Sequence, residues 1–472
     1  MRYHSRRFAG LGVAVVLATS LACNNFLGVD NPSSVNVGNL SDSSYANLLV
    51  TGAIGEFQSM YPTVAMYGSV LSDESRSDHV NASYGPIDQR AFTNLNDIDA
   101  LTYNPLQRTR YAADTVADRF VGYFGAKAGT DLRVARMLAL GGYTYMLLGE
   151  TFCGAPINMS RAYTPQELFQ MARPKLDSAV AIATAAKAAG ARGVVADSII
   201  GLALVAAART SLDLGDLAAA GSYAAQVPNS APTFTEYRVY FIEGIPPQSG
   251  MPTNPYWSAL GQPLPAQAGA NVTGGIQYLA ADVWVTVGEA FQGVHDPRMP
   301  MSPSRVKAMD NSMQYVANKP ASFGGFVRDT GITKTTVDPS TGDTITYKAY
   351  VGAPMTPGAS IRIASSLEAR YIAAEASGGD ASTLAFVNAQ RSANGQTPST
   401  ATSPDSVLAD LREQRRREFY LDGHRLGDIR RYETQYGASY FPTGPFPGST
   451  EQYGTQSCFV IPISEVNSNP NL

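Results

Sequence analysis

Two helical parts separated by an irregular stretch dominate this chain. In both parts, apolar residues recur at three- and four-residue spacing, which is typical of helices that bury one face. The segments with this spacing are 41–60, 105–123, 132–148, 164–187, 195–214, 217–227, 361–376, 383–391, 404–421 and 424–432. From about 231 to 360, Pro, Gly, Asn and aromatic residues are scattered without a period. We therefore predict a mainly α fold, in which a helical scaffold (41–230 and 361–434) carries a large irregular, partly β insertion at about 231–360.

Small residues between positions 207 and 228 indicate how the helices pair. Ala207, Ser211 and Ala218 allow two helices to approach closely, and Gly215 ends the first of them, as in a tetratricopeptide unit. This pattern favours a tetratricopeptide-like helical-repeat scaffold, an α-α superhelix. An Ala-rich helical pair without any repeat is the alternative.

Two further predictions concern segments outside the helices. Thr, Val, Ile and Tyr surround a Ser-Thr-Gly-Asp turn and predict a β-hairpin over residues 333–350. The C-terminal tail, 459–472, is predicted to be extended.

The N-terminus has the form of an export signal. Three arginines within the first seven residues precede an uncharged stretch, 8–22, that is too short to span a membrane. Because this stretch ends in Ser-Leu-Ala directly before Cys23, we predict a signal peptide over 1–22 and lipidation of Cys23, followed by an extended lead-in over 23–40. The alternative is an ordinary cleavage site with an incidental cysteine. No later stretch is predicted to cross a membrane.

Charge and cysteine content narrow the classes of function. The net charge of −4 argues against a nucleic-acid-binding protein, which normally carries a basic surface. With 44% hydrophobic and only 16% charged residues, the chain can bury a large core. Cys153 and Cys458 either pair in an oxidising compartment or remain as two buried thiols, and the sequence leaves both possibilities open.

The sequence contains few patterns typical of catalytic or metal sites. The histidines stand in no zinc-binding spacing, and no nucleophile elbow, phosphate loop or dinucleotide motif occurs, so we predict no enzyme, metal or cofactor. Asp73, Glu74 and Asp78 beside His79 offer oxygen ligands for calcium but lack the spacing of a calcium loop, and a solvated loop or helix N-terminus is the preferred interpretation. Paired catalytic carboxylates stay open as an alternative, since their separation is three-dimensional.

The densest polar pattern is an alternation of arginines and carboxylates near the C-terminus, formed by Arg415, Glu418, Asp422, Arg425 and Asp428. Glu418 and Asp422 lie one turn apart on one predicted helix, and Arg425 and Asp428 lie three apart on the next. This alternation predicts a buried ion-pair network that fixes two helices. A catalytic acid or an anion site is the less favoured alternative.

This cluster resembles the closing motif of the SusD/RagB family of outer-membrane nutrient-binding lipoproteins, Glu-Arg-x-x-Glu-Leu-x-x-Glu-Gly-x-Arg-x-x-Asp-Leu-x-Arg. The positions that fall on it are Arg415, Glu418, Asp422, Gly423, Arg425, Asp428, Ile429 and Arg431, whereas Gln414, Phe419 and Leu426 depart from it. Other segments are similar to family segments in the same order, namely 23–27, 152–156, 296–298, 362–376, 388–391, 459–465 and 469–471. Leu106 stands where the family usually has Trp. The resemblance spans residues 23–472.

The resemblance implies four tetratricopeptide-like helix pairs that support a ligand-facing half, within a single domain over 41–472. It also implies a lipoprotein of the outer membrane that faces the cell exterior. The implied partner is a SusC-like TonB-dependent barrel transporter. The expected ligand is an oligosaccharide, with a peptide or another nutrient as the alternative.

Aromatic faces surrounded by amide and charged groups are suited to gripping sugars. On that ground the candidate ligand residues are Asn81, Tyr84, Tyr103, Tyr256 and Trp257, and for each the alternative is a packed loop residue. They are chosen by residue type, because ligand residues vary within the family. Two other functions stay open, a helical-repeat lipoprotein that binds only protein and a secreted glycan hydrolase.

Overall fold

The computed structural model describes most of the helical parts and short pieces of the insertion. The described residues are 42–77, 83–228, 234–240, 254–256, 262–263, 278–279, 285–288, 291, 294–301, 306–307, 313–314, 317, 319–324, 327–337, 344–352, 358–447 and 449–472. Within them, Asn47–Leu472 belong to one compact unit.

Helices make up most of the described chain. In chain order they are α1 (Ala46–Leu71), α2 (Tyr84–Asp88), α3 (Asp97–Phe124), α4 (Leu132–Thr151), α5 (Pro165–Ala188), α6 (Gly193–Asp213), α7 (Leu217–Gln226), α8 (Ser366–Ala376), α9 (Ala381–Ala393), α10 (Pro404–Glu418), α11 (Arg425–Tyr436) and α12 (Ile463–Ser468). The mainly helical fold predicted from the sequence is confirmed.

Local sequence explains where two of the long helices begin. At the start of α5, the Thr164 hydroxyl accepts a hydrogen bond from the Glu167 amide, while the Glu167 carboxylate accepts one from the Thr164 amide. Pro165 occupies the first turn, where its missing N–H costs nothing. Ser403 caps α10 in the same way, with Pro404 in its first turn.

Neighbouring helices pack on one another in sequence from α3 to α7. Helix α8 then packs on α6 and α7, and α11 packs on α4 and α6. Two glycines of α4, Gly142 and Gly149, allow α5 to approach closely. A Cβ atom added at Gly142 would lie 2.6 Å from Leu176 Cγ. A Cβ atom added at Gly149 would lie 2.5 Å from the Phe169 ring. Larger residues at these positions would push the two helices apart.

Helix α6 lies at the centre of this packing. Among the described residues it is the one helix long and apolar enough to cross a membrane, yet 67% of its most apolar window is buried within the protein. Its buried face includes Arg209, which is 1% exposed and paired with carboxylates of other helices. We therefore interpret α6 as a core helix.

The strands form small antiparallel pairs. They are β1 (Ser75–Ser77), β2 (Ala155–Pro156), β3 (Ala162–Tyr163), β4 (Glu236–Val239), β5 (Gln262–Pro263), β6 (Tyr278–Leu279), β7 (Val285–Val287), β8 (Val306–Lys307), β9 (Met313–Gln314), β10 (Val327–Val337), β11 (Thr344–Gly352) and β12 (Ile361–Ser365). Strands β10 and β11 pair as a hairpin, which confirms the prediction for 333–350. Strand β4 pairs with β12, placing Val239 opposite Ile361, so the insertion leaves and rejoins the scaffold at adjacent strands.

The prediction of a single helix over 361–376 is wrong in its first five residues. Ile361–Ser365 form β12, and all five are buried. The apolar residues Ile361 and Ile363 are two apart, which is the period of a strand. The Ser365 hydroxyl then accepts a hydrogen bond from the Glu368 amide and starts α8.

Other helix boundaries also differ from prediction, most of all those of α1 and α3. Helix α1 runs to Leu71 through an internal Pro62, and α3 begins at Asp97 and continues through Pro105. The predicted helices over 41–60 and 105–123 avoid an internal proline, but a long helix with a well-packed face tolerates one missing N–H. The predicted extended tail contains α12, because Pro462 has the backbone angles that lead into a helix and Glu465 lies in the first turn.

Cys153 and Cys458 form a disulfide, with their Cα atoms 5.2 Å apart. The bond joins the end of α4 to the segment that precedes α12. Backbone hydrogen bonds on either side reinforce it, from Cys153 N to Phe459 O at 2.9 Å and from Phe459 N to Thr151 O at 2.9 Å.

Candidate functional site

The five candidate ligand residues are not brought together as one exposed aromatic surface among the described residues. Asn81 and Trp257 lie outside the described residues. Tyr84 is half-buried, with its ring stacked on Tyr67 at 5.8 Å between centroids. Tyr256 is fully buried against Phe323, with ring centroids 5.4 Å apart. Core packing occupies the Tyr256 ring, as the alternative of a packed loop residue states, and ligand contact at Tyr256 stays a prediction.

Tyr103 is also buried, at 2% exposure, and its ring meets Phe152 edge to face. It nevertheless forms the floor of a hollow of about 290 Å³, which we name the α3 hollow. The hollow lies between α3, the turn after β2 and α12. The residues used below are Tyr103, Gln107, Tyr111, Asn158, Met159 and Glu465.

Tyr103, Gln107 and Tyr111 share one face of α3 because they are four residues apart. Tyr111 is 59% exposed, so its ring stands at the mouth of the hollow rather than in the core. Of these three residues, only Tyr103 was predicted from the sequence as a ligand residue. The four-residue spacing was the signal that would have added the other two.

A strained turn forms the opposite wall. Asn158 and Met159 both have positive φ, at 51° and 60°, and the Ser160 amide donates to the Ile157 carbonyl at 3.2 Å across them. Asn tolerates this conformation, whereas for Met it costs roughly 1–2 kcal/mol. Nothing in the sequence pattern predicted this pair.

The C-terminal tail holds the turn in place. The side-chain amide of Asn469 donates to the Ser160 carbonyl at 2.9 Å, and that of Asn471 donates to the Met159 carbonyl at 2.6 Å. Asn469 is 3% exposed. The Asn-Pro-Asn sequence near the C-terminus therefore fixes one wall of the α3 hollow.

Arg110 fixes the side chains between the two walls. Its guanidinium donates to Gln107 Oε1 and to Asn158 Oδ1, both at 2.9 Å, and lies 3.5 Å from Asp114 Oδ2. Gln107 in turn donates to the Pro156 carbonyl at 2.8 Å. The polar groups of the hollow are thus preorganised by the protein itself.

The five residues of the C-terminal cluster all lie in one buried network. Arg415 contacts Asp428 at 2.7 Å, across the turn between α10 and α11. Arg425 instead binds Asp73 with both ends of its guanidinium, at 2.6 and 2.7 Å. Glu418 and Asp422 both contact Arg362, which lies on β12, at 3.1 and 3.7 Å.

The preferred interpretation of the Asp73 and Glu74 segment as a solvated loop or helix N-terminus is wrong, because both side chains are buried. Asp73 is the partner of Arg425, and Glu74 Oε1 accepts a hydrogen bond from the Leu421 amide at 3.1 Å. Burial and the nearby charge of Asp422 raise the pKa of Glu74 well above its ordinary value. Asp78 and His79 lie outside the described residues.

His424 occupies the centre of the network. Its Nδ1 lies 2.6 Å from Asp422 Oδ1, its Nε2 lies 3.0 Å from Glu368 Oε1, and its ring stacks on Phe419. Burial alone would lower the pKa of His424, but the two carboxylates outweigh it and raise the pKa above its ordinary value. The two carboxylates therefore stabilise the imidazolium form of the ring.

The network continues into the helical scaffold. Arg209 on α6 holds Glu150 on α4 with two hydrogen bonds, at 2.6 and 2.5 Å. Arg431 on α11 contacts Asp213 at 3.2 Å and Glu375 at 3.1 Å. Four helices are thus joined by charges that are almost completely removed from water.

The network also reaches the insertion. Arg298 pairs with Asp296 at 2.7 Å and donates to Gln414 Oε1 at 2.9 Å on α10. Ser322 adds a hydrogen bond to the Tyr420 carbonyl at 2.7 Å. A catalytic acid or base must reach a reacting group, whereas these carboxylates are buried and face arginines. The arrangement joins elements to one another.

No protein-family profile matches this chain, and no curated protein sequence does. Solved structures do match. A SusD homolog from Bacteroides thetaiotaomicron VPI-5482 aligns with 93% of this chain and 98% of its own, at a TM-score of 0.62 and 16% identity. A SusD superfamily protein from Parabacteroides distasonis ATCC 8503 aligns with 91% of this chain and 98% of its own, at a TM-score of 0.60 and 13% identity. This chain has the SusD-like fold.

Another structure with the SusD-like fold is named as a carbohydrate-binding protein. It comes from Bacteroides vulgatus ATCC 8482 and aligns with 91% of this chain and 97% of its own, at a TM-score of 0.58 and 14% identity. The fold implied by the sequence resemblance is thereby confirmed over nearly the whole chain.

Proposed function

We propose that this protein is a cell-surface lipoprotein that binds a glycan and delivers it to a TonB-dependent barrel transporter of the outer membrane. The observation that carries the proposal is the SusD-like fold, shared over more than nine-tenths of both chains with a protein named as SusD-like and carbohydrate-binding. No catalytic step is part of the proposal. The buried pairing of the C-terminal carboxylates supports a binding role over glycan hydrolysis.

The location at the cell surface rests on the N-terminal sequence and on one covalent bond. Residues 1–22 have the features of an export signal, and Cys23 follows directly as the residue to be lipidated. The Cys153–Cys458 disulfide fits a protein that matures outside the reducing cytosol.

The binding role is tested by screening the mature full-length protein on an array of neutral oligosaccharides. We expect saturable binding to at least one saccharide and no release of product on prolonged incubation. Turnover that is lost when one carboxylate is replaced would favour the hydrolase. Absence of binding to every saccharide would favour the protein-binding scaffold.

The partner is tested by gentle detergent extraction of the tagged protein from its native outer membrane, followed by mass spectrometry. We expect a stoichiometric large barrel transporter to accompany it. As a control, an unrelated outer-membrane lipoprotein carrying the same tag should not recover that transporter. Recovery of the protein alone would contradict the delivery step.

The anchor is tested with Cys23→Ala in the full precursor. We expect the variant to lose labelling by a fatty acid and to leave the membrane fraction, because no acyl chain remains to hold it. Cys458→Ala serves as the matched control and should remain membrane-bound. A Cys23→Ala protein that stays fully in the membrane would contradict lipidation.

A further inference from the structure

We propose that the α3 hollow is a binding subsite for an uncharged sugar, which receives the end of an oligosaccharide chain. This inference rests on the proposed glycan-binding function and adds to it the place of contact and the charge class of the ligand. The described residues that line the hollow all lie outside the insertion.

The first argument is the exposed ring of Tyr111. An aromatic side chain that is 59% exposed at the mouth of a cavity leaves apolar surface in water. The C–H face of a pyranose is flat and apolar, and it covers such a ring while its hydroxyl groups remain free. Met159, which is 56% exposed, extends the apolar surface on the opposite wall.

The second argument is the set of polar groups that remain for a ligand. Because the Oδ1 atom of Asn158 accepts from Arg110, the amide group of Asn158 keeps both donors, and it makes no hydrogen bond to the described residues. Glu465 uses Oε1 to accept from Asn469 at 3.2 Å and keeps Oε2 as an acceptor. A donor and an acceptor in fixed positions are suited to the hydroxyl groups of a sugar.

The third argument concerns charge. Arg108 faces Glu56 at 3.4 Å, and Arg110 is taken up by Gln107, Asn158 and Asp114. Arg110, which is built into the hollow, offers no unpaired fork for phosphate or carboxylate. Arg108 is 62% exposed and meets Glu56 only through its Nε atom, so it lies at the rim. The Glu465 carboxylate repels an anion. The hollow therefore favours a neutral sugar over a phosphorylated or acidic one.

The fourth argument is size and preorganisation. A volume of about 290 Å³ is at the lower end of ligand pockets, which fits one end of a chain and not a long segment. The walls are already fixed by the Asn469 and Asn471 amides and by Arg110. The strain held at Met159 is typical of binding sites.

The test begins with the neutral oligosaccharide that binds the mature protein most tightly on the array, measured by calorimetry. We expect Tyr111→Ala to weaken affinity by about tenfold or more, as loss of one stacked ring implies. Tyr111→Phe keeps the ring and should bind within about twofold of wild type. Tyr436→Ala removes an exposed tyrosine from α11 and should also leave affinity unchanged.

A second variant tests the polar wall. Asn158→Gly removes the amide at a position where glycine adopts the observed φ of 51° freely, so the fold is retained. We expect affinity to fall by about fivefold to tenfold, since a hydrogen-bond donor is lost. The melting temperature should fall only slightly, because Arg110 loses its hydrogen bond to Asn158 but keeps Gln107 and Asp114.

A third measurement tests the site in the wild-type protein, through the rate at which Met159 is oxidised. Met159 is exposed and should be oxidised to the sulfoxide by dilute peroxide, and saturating oligosaccharide should slow this reaction. Met171 on α5 is the internal control, and its oxidation rate should not change.

The outcomes separate the two proposals. If wild type binds no saccharide on the array, the proposed function fails and the subsite fails with it. If wild type binds but Tyr111→Ala and Asn158→Gly bind equally well and Met159 is unprotected, the subsite is wrong while the glycan-binding function stands. Protection of Met159 by a peptide library but by no neutral oligosaccharide would overturn the ligand class.

Discussion

Arg209 shows what a buried charge requires of its neighbours. It is 1% exposed, and its contacts are two oxygens of Glu150 and the more distant Glu368, on two other helices. The pair is stable only as a unit, because either group alone would be an uncompensated charge in a dry core.

We therefore expect Arg209→Met to lower the free energy of unfolding by about 3–5 kcal/mol. Urea unfolding followed by circular dichroism measures the change. The double variant Arg209→Met/Glu150→Gln should recover part of the loss, since it removes the orphaned carboxylate as well. A double variant no more stable than the single one would contradict this account.

His424 makes stability depend on pH. Its pKa is raised in the folded state by Asp422 and Glu368, against the effects of burial and of Arg209. The stabilisation is complete below the unfolded pKa of 6.5 and is lost as the pH rises through the higher folded pKa.

We expect the free energy of unfolding of wild type to fall as the pH rises above about 6.5 and through the higher folded pKa of His424. His424→Gln should show a smaller decline over the same range, because its side chain does not titrate. Denaturant titrations at a series of pH values measure both slopes. Parallel curves for the two proteins would show that His424 does not titrate there.

The sequence predicted which charged residues belong to the buried ion-pair network, but it did not predict most of their partners. The cluster from Arg415 to Asp428 was predicted to pair within two consecutive helices. Its main partners, Asp73 and Arg362, are separated from it by tens to hundreds of positions. Helical spacing sets only the face on which a residue lies, and the packing of whole helices decides what faces it.

At the scale of elements, capping and periodicity predicted most of the helices. The helices predicted over 164–187 and 404–421 begin within one residue of α5 and α10, where Thr164 with Pro165 and Ser403 with Pro404 start them. The main error arose in 361–376, where the two-residue period of a strand is followed by the spacing of a helix. Ile361–Ser365 read as the first turn of a helix, although pairing with β4 makes it a strand. Such pairing between distant segments cannot be read from local spacing.

The disulfide is the covalent link between two such distant elements, α4 and the segment before α12. In a Cys23→Ser background, we expect no free thiol in denaturant before reduction and two afterwards. Cys153→Ser/Cys458→Ser should lower the free energy of unfolding by roughly 3–5 kcal/mol, given the 305-residue separation. Detection of free thiols before reduction would contradict the bond.

At the scale of the whole molecule, the insertion is tied into the scaffold by Arg298. This arginine is 3% exposed and joins Asp296 to Gln414 on α10. The paired strands β4 and β12 add a second tie at the ends of the insertion.

We expect Arg298→Met to speed chymotrypsin cleavage within residues 240–360 by about tenfold or more, because local opening becomes easier. The helical content measured by circular dichroism should remain near that of wild type. Arg133→Met removes a more exposed arginine paired with Asp131 and should leave the cleavage rate unchanged. Equal rates for the two variants would show that the tie is unimportant.

The bond between Cys153 and Cys458 also makes a closed covalent ring of everything between them, including α5 to α11 and the insertion. A single break of the backbone anywhere in that ring leaves both fragments joined. With Cys23 lipidated as proposed, the C-terminal fragment stays attached to the membrane through the N-terminal one. A first cut by an extracellular protease between Cys153 and Cys458 would thus release no part of the protein, and only a second cut would release a fragment.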